Sequence, residues 1–298
     1  MTTTLDPPGP ATTSPPGPAR RRIRRNPLVT ATIYSALAAL TVIWAAPLVW
    51  AVLTSLKHEG ETTTVPPQLV PDSGFTVQAY VEVLSVGDLT RWFVNSTIVA
   101  VAVTALTLVL SAAAAYGFSR TEFRGRRTLF AITVAGVMVP SQILIVPLYE
   151  QMLAVGLADT YLGVILPQIV VPAMVFILKR FFDAIPHELE EAARIDGAGP
   201  LRIFLTIVLP LSRPILAAVA IFVFIQCWNN FLWPFIILSD PSLMTLPVGL
   251  VQVQSSFGVR YAQVMAGAVL AGLPLVVAFL FFQRQIVQGI ATTGLGGR

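Results

Sequence analysis

The chain has 298 residues, of which 55% are hydrophobic and 11% charged, and its mean hydropathy is +0.76. Soluble domains carry about 25% charged residues, so the composition excludes a disordered chain, a nucleic-acid reader with an extended basic face, and almost any soluble globular fold. The net charge of +4 is small, one cysteine (Cys227) excludes an internal disulfide framework, and two histidines (His58 and His187) cannot build a histidine-rich metal cage.

Residues 1–27 are rich in Pro, Thr and Arg. Such a segment buries too little apolar area to offset the entropy of ordering, so disorder is expected. Its cluster Arg20, Arg21, Arg22, Arg24 and Arg25 suits anionic lipid head groups. A membrane-spanning helix needs about 20 mostly apolar residues. Six runs qualify: 30–56, 94–118, 128–148, 161–178, 214–238 and 262–282. None contains Lys, Arg, Asp or Glu, and one such charge at mid-membrane costs about 2.5–3.5 kcal/mol. The runs are continuous rather than alternating, which favours helices over barrel strands. The first run exceeds the 7–15 residues of a signal-peptide core, so it reads as an uncleaved span.

Charge orients the spans. Besides the tail cluster, the segment between the second and third runs holds Arg120, Arg124, Arg126 and Arg127. The segment between the fourth and fifth holds Lys179, Arg180, Arg194, Arg202 and Arg213, and the C-terminal tail holds Arg284 and Arg298. Only Lys57, Arg91 and Arg260 lie in the alternate segments. By the positive-inside rule both termini are expected in the cytoplasm.

No Gly-rich loop ending in Lys and Ser or Thr, no G-x-S-x-G and no H-E-x-x-H is present, so neither a P-loop ATP site nor those hydrolytic centres are expected, and no catalytic or metal residue is assigned. No ionisable residue within a run offers a proton or sodium relay. Such a protein conducts passively or borrows energy from a partner. Pro47, Pro140, Pro147, Pro167, Pro172, Pro234 and Pro274 interrupt most runs. Static kinks and parts of a moving gate are both open readings. The fifth run carries Gln226, Cys227, Trp228, Asn229, Asn230 and Trp233 in its outer half. Tryptophan beside amides suits the apolar faces and hydroxyl edges of a sugar. An interfacial aromatic belt with helix–helix hydrogen bonds explains the same residues.

Between the fourth and fifth runs, Pro186 suits a helix start and Glu188, Glu190 and Glu191 favour its positive end. Leu189, Ala192 and Ala193 share one side, Gly197 is a natural stop and Pro200 opens a second short helix. This helix–Gly–helix reads either as a docking element or as a plain connector.

The run Glu191-Ala192-Ala193, then Asp196-Gly197-Ala198, and finally Ile207-Val208-Leu209-Pro210 resembles the EAA motif of permease subunits of bacterial ATP-binding-cassette importers. Residues 140–166, the Trp228-Asn229 pair and residues 283–297 resemble the carbohydrate branch, in particular its six-span maltose- and trehalose-type subunits. The resemblance covers about residues 28–298.

It implies an all-α polytopic membrane protein of the type I importer permease fold. Residues 28–57 form the first helix and 58–93 an extracytoplasmic loop. Residues 94–283 form a five-helix core with a coupling loop at 183–213, and 284–298 a cytoplasmic tail. It implies a subunit that is not itself an enzyme and binds no cofactor, with ATP and Mg on partner subunits. The implied partners are a second related permease, two ATPase subunits, an extracytoplasmic sugar-binding protein, the sugar and membrane lipid, with no nucleic acid. Glu190, Glu191, Ala192, Ala193, Asp196, Gly197, Ala198, Leu209 and Pro210 would couple to the ATPases, Glu191 through a basic residue. The sugar path would use Gln226, Trp228, Asn229 and Asn230, and Leu246, Gln252, Gln254 and Phe257 would meet the binding protein. A permease for another solute and a passive or secondary transporter are the alternatives.

Overall fold

The computed structural model describes residues 27–85, 88–257 and 259–295, and their side chains except at 253–257, 282 and 284–295. The N-terminal tail and the side chains of the C-terminal tail therefore lie outside the described residues. Among the described residues all regular structure is helical. The helices are α1 (Pro27–Ser55), α2 (Gln78–Ser85), α3 (Leu89–Arg120), α4 (Arg126–Ala135), α5 (Ile145–Ala154), α6 (Tyr161–Ile165) and α7 (Pro172–Asp183). There follow α8 (His187–Ile195), α9 (Pro200–Ile203), α10 (Leu209–Leu211), α11 (Arg213–Trp228), α12 (Leu232–Ile237), α13 (Leu246–Phe257) and α14 (Tyr261–Leu295).

Three helices are long and apolar enough to cross a bilayer: α1, α3 and Tyr261–Phe281 of α14. Bent pairs bring the number to six if each pair is one span. The expected continuous helix at 128–148 is instead two pieces, Arg126–Met138 and Ser141–Ala154, at 94°. The expected span at 161–178 is bent by 48° between Tyr161–Gln168 and Pro172–Asp183. Proline explains both breaks, because a residue before proline is driven out of the helical region. Val139 and Val171, each before a proline, are extended. The expected run at 214–238 also divides: α11 ends at Trp228 and α12 begins at Leu232, so Asn229, Asn230 and Phe231 form a break. By contrast, Pro47 and Pro274 stay inside α1 and α14.

α1 up to Val49 is a unit by itself, with no buried residue. The second unit, from Trp50 onward, is organised on α3, which packs against α7, α11 and α13. Its buried positions follow helical spacing: Trp92, Asn95, Ser96, Val99, Ala100, Val103, Thr107, Ser111, Ala115. Small residues on this stripe let the neighbours approach closely, and close packing is what drives helix association in lipid. One core joins Val103 and Ala115 to Leu178 and Phe182 of α7, Ile203, and Val219 and Val223 of α11. A second joins Trp92 and Ala100 to Ala79, Trp228, Leu246 and Ala266.

Polar groups of α3 pin the segment before α13. Asn95 Nδ2 donates to the carbonyls of Ser242 (3.0 Å) and Met244 (2.9 Å), and its Oδ1 accepts from Tyr161 Oη at 2.7 Å. Trp92 Nε1 donates to the Pro241 carbonyl at 2.8 Å. Ser96 Oγ accepts from the Leu246 amide at 2.8 Å. Nearby, Glu82 of α2 accepts from Arg260 at 3.2 Å and from Gln263 of α14. The hydrogen bond from Gln263, then that from Gln78, holds the Glu82 carboxyl below its ordinary range.

Gly249 of α13 lies against the Trp92 ring, where an added Cβ would overlap the ring atoms. Overpacking of this kind costs about 1–3 kcal/mol. The Gly249→Ala protein should melt several degrees lower in detergent, by scanning calorimetry or intrinsic fluorescence. An unchanged melting temperature would show that the α3–α13 contact is looser than described.

Candidate functional site

The segment from Pro186 to Ser212 is built as the sequence suggests, with two local devices added. Pro186 occupies the cap position and α8 starts at His187, with Glu188 and Glu190 in its first turn. At the other end Gly197 adopts φ +80. Its amide donates to the Arg194 carbonyl at 3.0 Å and the Ala198 amide to the Ala193 carbonyl at 2.9 Å. These two bonds are a Schellman cap, which needs a left-handed residue at the glycine position. Past Pro200 the chain forms a π-helical turn, Phe204–Val208, before α10. Pro210 lacks the amide that would close an ordinary turn on Thr206, and the Leu209 amide reaches back to Phe204 instead. The segment then turns by 78° into α11.

α8 is two-faced. Leu189, Glu191, Ala192 and Asp196 are exposed, and Ile195 is 87% exposed. Leu201 and Leu205 are exposed beyond the glycine. Ala193, Ala198 and Leu209 are half-buried and pack on the core around α3, α7 and α11. Pro210 is half-buried as well. Thus Glu191 and Ala192 stand on the open face, whereas Ala193, Ala198, Leu209 and Pro210 support it from beneath. Glu190 points inward: its side chain is 1% exposed, with Oε1 3.1 Å from Arg120 Nε but without the alignment of a hydrogen bond. Its Oε2 lies 3.6 Å from Arg194. Arg120, which sequence reading counted only as an orienting charge, is therefore part of this site.

The amide and tryptophan cluster separates in the same way. Trp228 is buried, stacks on Phe224, meets Phe93 edge-on, and donates from Nε1 to the Ala271 carbonyl of α14 at 3.1 Å. Asn230 Nδ2 donates to Gln168 Oε1 at 2.7 Å, and Gln168 Nε2 to the Val164 carbonyl at 2.8 Å. These groups join α11 to its neighbours. Gln226 and Asn229 are exposed, and Asn229 turns its Nδ2 back to the Ile225 carbonyl, 2.8 Å away. Of the residues expected to meet a binding protein, Leu246 is buried and Gln252 exposed. The side chains of Gln254 and Phe257 lie outside the described residues. Sequence reading missed Trp92, Asn95 and Ser96 as organisers of this outer segment. The signal was an amide and a hydroxyl at the start of an otherwise apolar run.

Residues 107–292, which include the whole segment, match the family described as "Binding-protein-dependent transport system inner membrane component". The arabinooligosaccharides transport system permease protein AraQ of Halalkalibacterium halodurans is 34% identical, over 92% of this chain and 99% of its own. The diacetylchitobiose uptake system permease protein NgcG of Streptomyces coelicolor is 35% identical, over 85% and 86% respectively. Among solved structures, a chain of a bacterial ABC transporter involved in the import of the acidic polysaccharide alginate superposes with a TM-score of 0.78. It is 21% identical and is covered over 97% of its length by 88% of this chain. Family match and long relatives agree: this chain belongs to the inner membrane components of binding-protein-dependent transport systems.

Proposed function

We propose that the chain is one permease subunit of an ATP-driven importer for a di- or oligosaccharide. In this reading a second, related permease completes the path, two ATPase subunits sit on the cytoplasmic side and a sugar-binding protein delivers substrate outside. The sugar assignment is supported by the relatives, whose names specify arabinooligosaccharides, diacetylchitobiose and glucose. The basic segments, including Arg120 to Arg127 and Lys179 to Arg213, orient the loop and both termini to the cytoplasm.

The observation that carries the coupling role is the two-faced α8. Its outer face exposes Leu189, Ala192 and Ile195 interleaved with Glu188, Glu191 and Asp196, and Leu201 and Leu205 are exposed beyond Gly197; such a face suits docking into a groove of an ATPase subunit. In this reading the exposed Glu191 makes a charged contact with a basic groove residue. Closure of the ATPases on ATP then moves this element, and ligands at both faces bias a two-state permease. ATP and Mg stay on the partner subunits.

Ala192 gives a cleaner test than Ala193, because only its side chain is open. Ala192→Trp should leave the protein in the membrane and reduce sugar uptake in proteoliposomes about tenfold or more, as overpacking of a close contact does. Gly197→Pro cannot adopt a positive φ and should do the same. Native uptake by either variant, at equal membrane level, removes the docking role.

For the sugar path we propose the exposed side chains of Gln226 and Asn229 rather than Trp228, which is buried, and Asn230, which is half-buried and tied to Gln168. Asn229→Ala should change the uptake rate or the preference within a panel of labelled oligosaccharides. Trp228→Ala should mainly destabilise, since emptying a buried indole site costs about 3–5 kcal/mol. Unchanged rate and preference in Asn229→Ala would remove the amide from the path.

A further inference from the structure

Arg120 is the last residue of α3, and its side chain is 1% exposed. One guanidinium joins three elements. Nη2 donates to the carbonyls of Phe182 and Ile185, the latter at 2.6 Å, which closes the C-terminal end of α7. Nη1 donates to the His187 ring, 2.7 Å from Nδ1, at the start of α8. Nε faces Glu190, in the same helix, at 3.1 Å. Two neighbours reinforce the grip. Tyr116 Oη donates to the Pro200 carbonyl at 3.1 Å while its ring lies 4.8 Å from that of Phe204. Ser119 Oγ donates to Asp183 Oδ1 at 2.7 Å. The end of α3 therefore holds the loop on both sides of Gly197. On the way to α11 the loop contains the π-helical turn and the 78° bend at Ser212.

We infer that Arg120 is a positioning residue that makes α8, α7 and the end of α3 one moving body. This rests on the reading above that α8 is where the ATPases push. Separating α8 from α3 would break together the Arg120 contacts with His187 and Glu190 and the Tyr116 hydrogen bond to the Pro200 carbonyl. The inner contacts thus hold through the cycle. Displacement of α8 passes directly to α3 and α7; α11 joins α8 along the chain only through the π turn and the bend at Ser212, and its packing on α3 is the interface that slides.

The test uses the full complex in proteoliposomes, with ATPases, partner permease and binding protein, and reads sugar moved per ATP hydrolysed. Glu190→Gln keeps the shape and removes the charge; Arg120→Gln removes the hub. Each should lower sugar per ATP about fivefold to tenfold, within the range by which residues between sites modulate coupling, while ATP hydrolysis continues. The double variant should be no worse than Arg120→Gln, because the pair acts as a unit. Spin labels supply a second measurement. The distance between positions 188 and 113 should stay constant between nucleotide-free and ATP-bound states, while that between 188 and 222 changes. In Glu190→Gln the first distance should become nucleotide-dependent.

A native sugar-per-ATP ratio in Glu190→Gln, or a 188–113 distance that shifts as much as 188–222 in the unaltered protein, overturns the inference. If Arg120→Gln does not assemble, Glu190→Gln and the label distances decide. Should Ala192→Trp transport normally, the coupling reading itself fails. Should Ala192→Trp stop transport while Glu190→Gln behaves as native, only the role of Arg120 falls.

Discussion

A backbone amide or carbonyl freed at a helix end or break and buried from water must find its partner within the protein. This chain interrupts its helices repeatedly, and the repairs determine its shape. The end of α7 is closed by the Arg120 guanidinium on the carbonyls of Phe182 and Ile185. The start of α6 is capped by Thr160 Oγ1, which accepts from the Gly163 amide at 3.0 Å. The break after α11 is spanned by Asn230 and Gln168, and the segment before α13 hangs from Trp92 and Asn95 of α3. Most of these repairs come from α3 or from elements packed on it, and for that reason α3 is the axis of the second unit.

Repair by a buried charge pair is energetically unlike repair by a cap. Desolvating an arginine and a glutamate offsets most of their attraction, and apolar replacements of such pairs are often at least as stable. The Arg120–Glu190 contact is therefore poorly explained as a source of net stability. It specifies geometry instead. The guanidinium presents several donors in a fixed planar fork, and here the fork fits two carbonyls, an imidazole and a carboxylate only when α3, α7 and α8 stand in one arrangement. A lysine would supply the charge without the fork.

Much of the molecule is legible in the sequence, and the gaps have physical causes. Long apolar runs without charge mark the membrane-facing segments, and Gly197 and Pro200 mark where α8 ends and α9 begins. Prolines forecast the bends less well. Pro140 and Pro172 break their helices, whereas Pro47 and Pro274 remain inside α1 and α14, and the break at Asn229 has no proline at all. Which face of α3 is buried was not legible, because that helix is apolar on all sides: Val101, Leu106 and Val109 are exposed as readily as Val99 and Val103 are buried. Nor was the inward turn of Glu190. Three neighbouring glutamates look alike in sequence, and only the arrival of Arg120 from a distant helix distinguishes one from the other two. Trp228 is the converse case. Its indole suits a sugar in isolation, but the Ala271 carbonyl already occupies its one donor.

In the proposed coupling role, the division of α8 into an open face and a locked face also constrains how force travels. An element held by nothing but its outer partner would move without taking the membrane helices along. An element tied equally to every neighbour would resist movement. Here the ties are unequal: the inner face of α8 is held to the end of α3 by the Arg120 guanidinium, while the route along the chain to α11 passes through a π turn, itself held to α3 by Tyr116 on Phe204, and a sharp bend at Ser212. α11 carries Gln226 and Asn229 at its far end. In the proposed coupling role, a push at α8 reaches α3 and α7 first, and movement relative to α11, on which α3 also packs, is a slide along that interface.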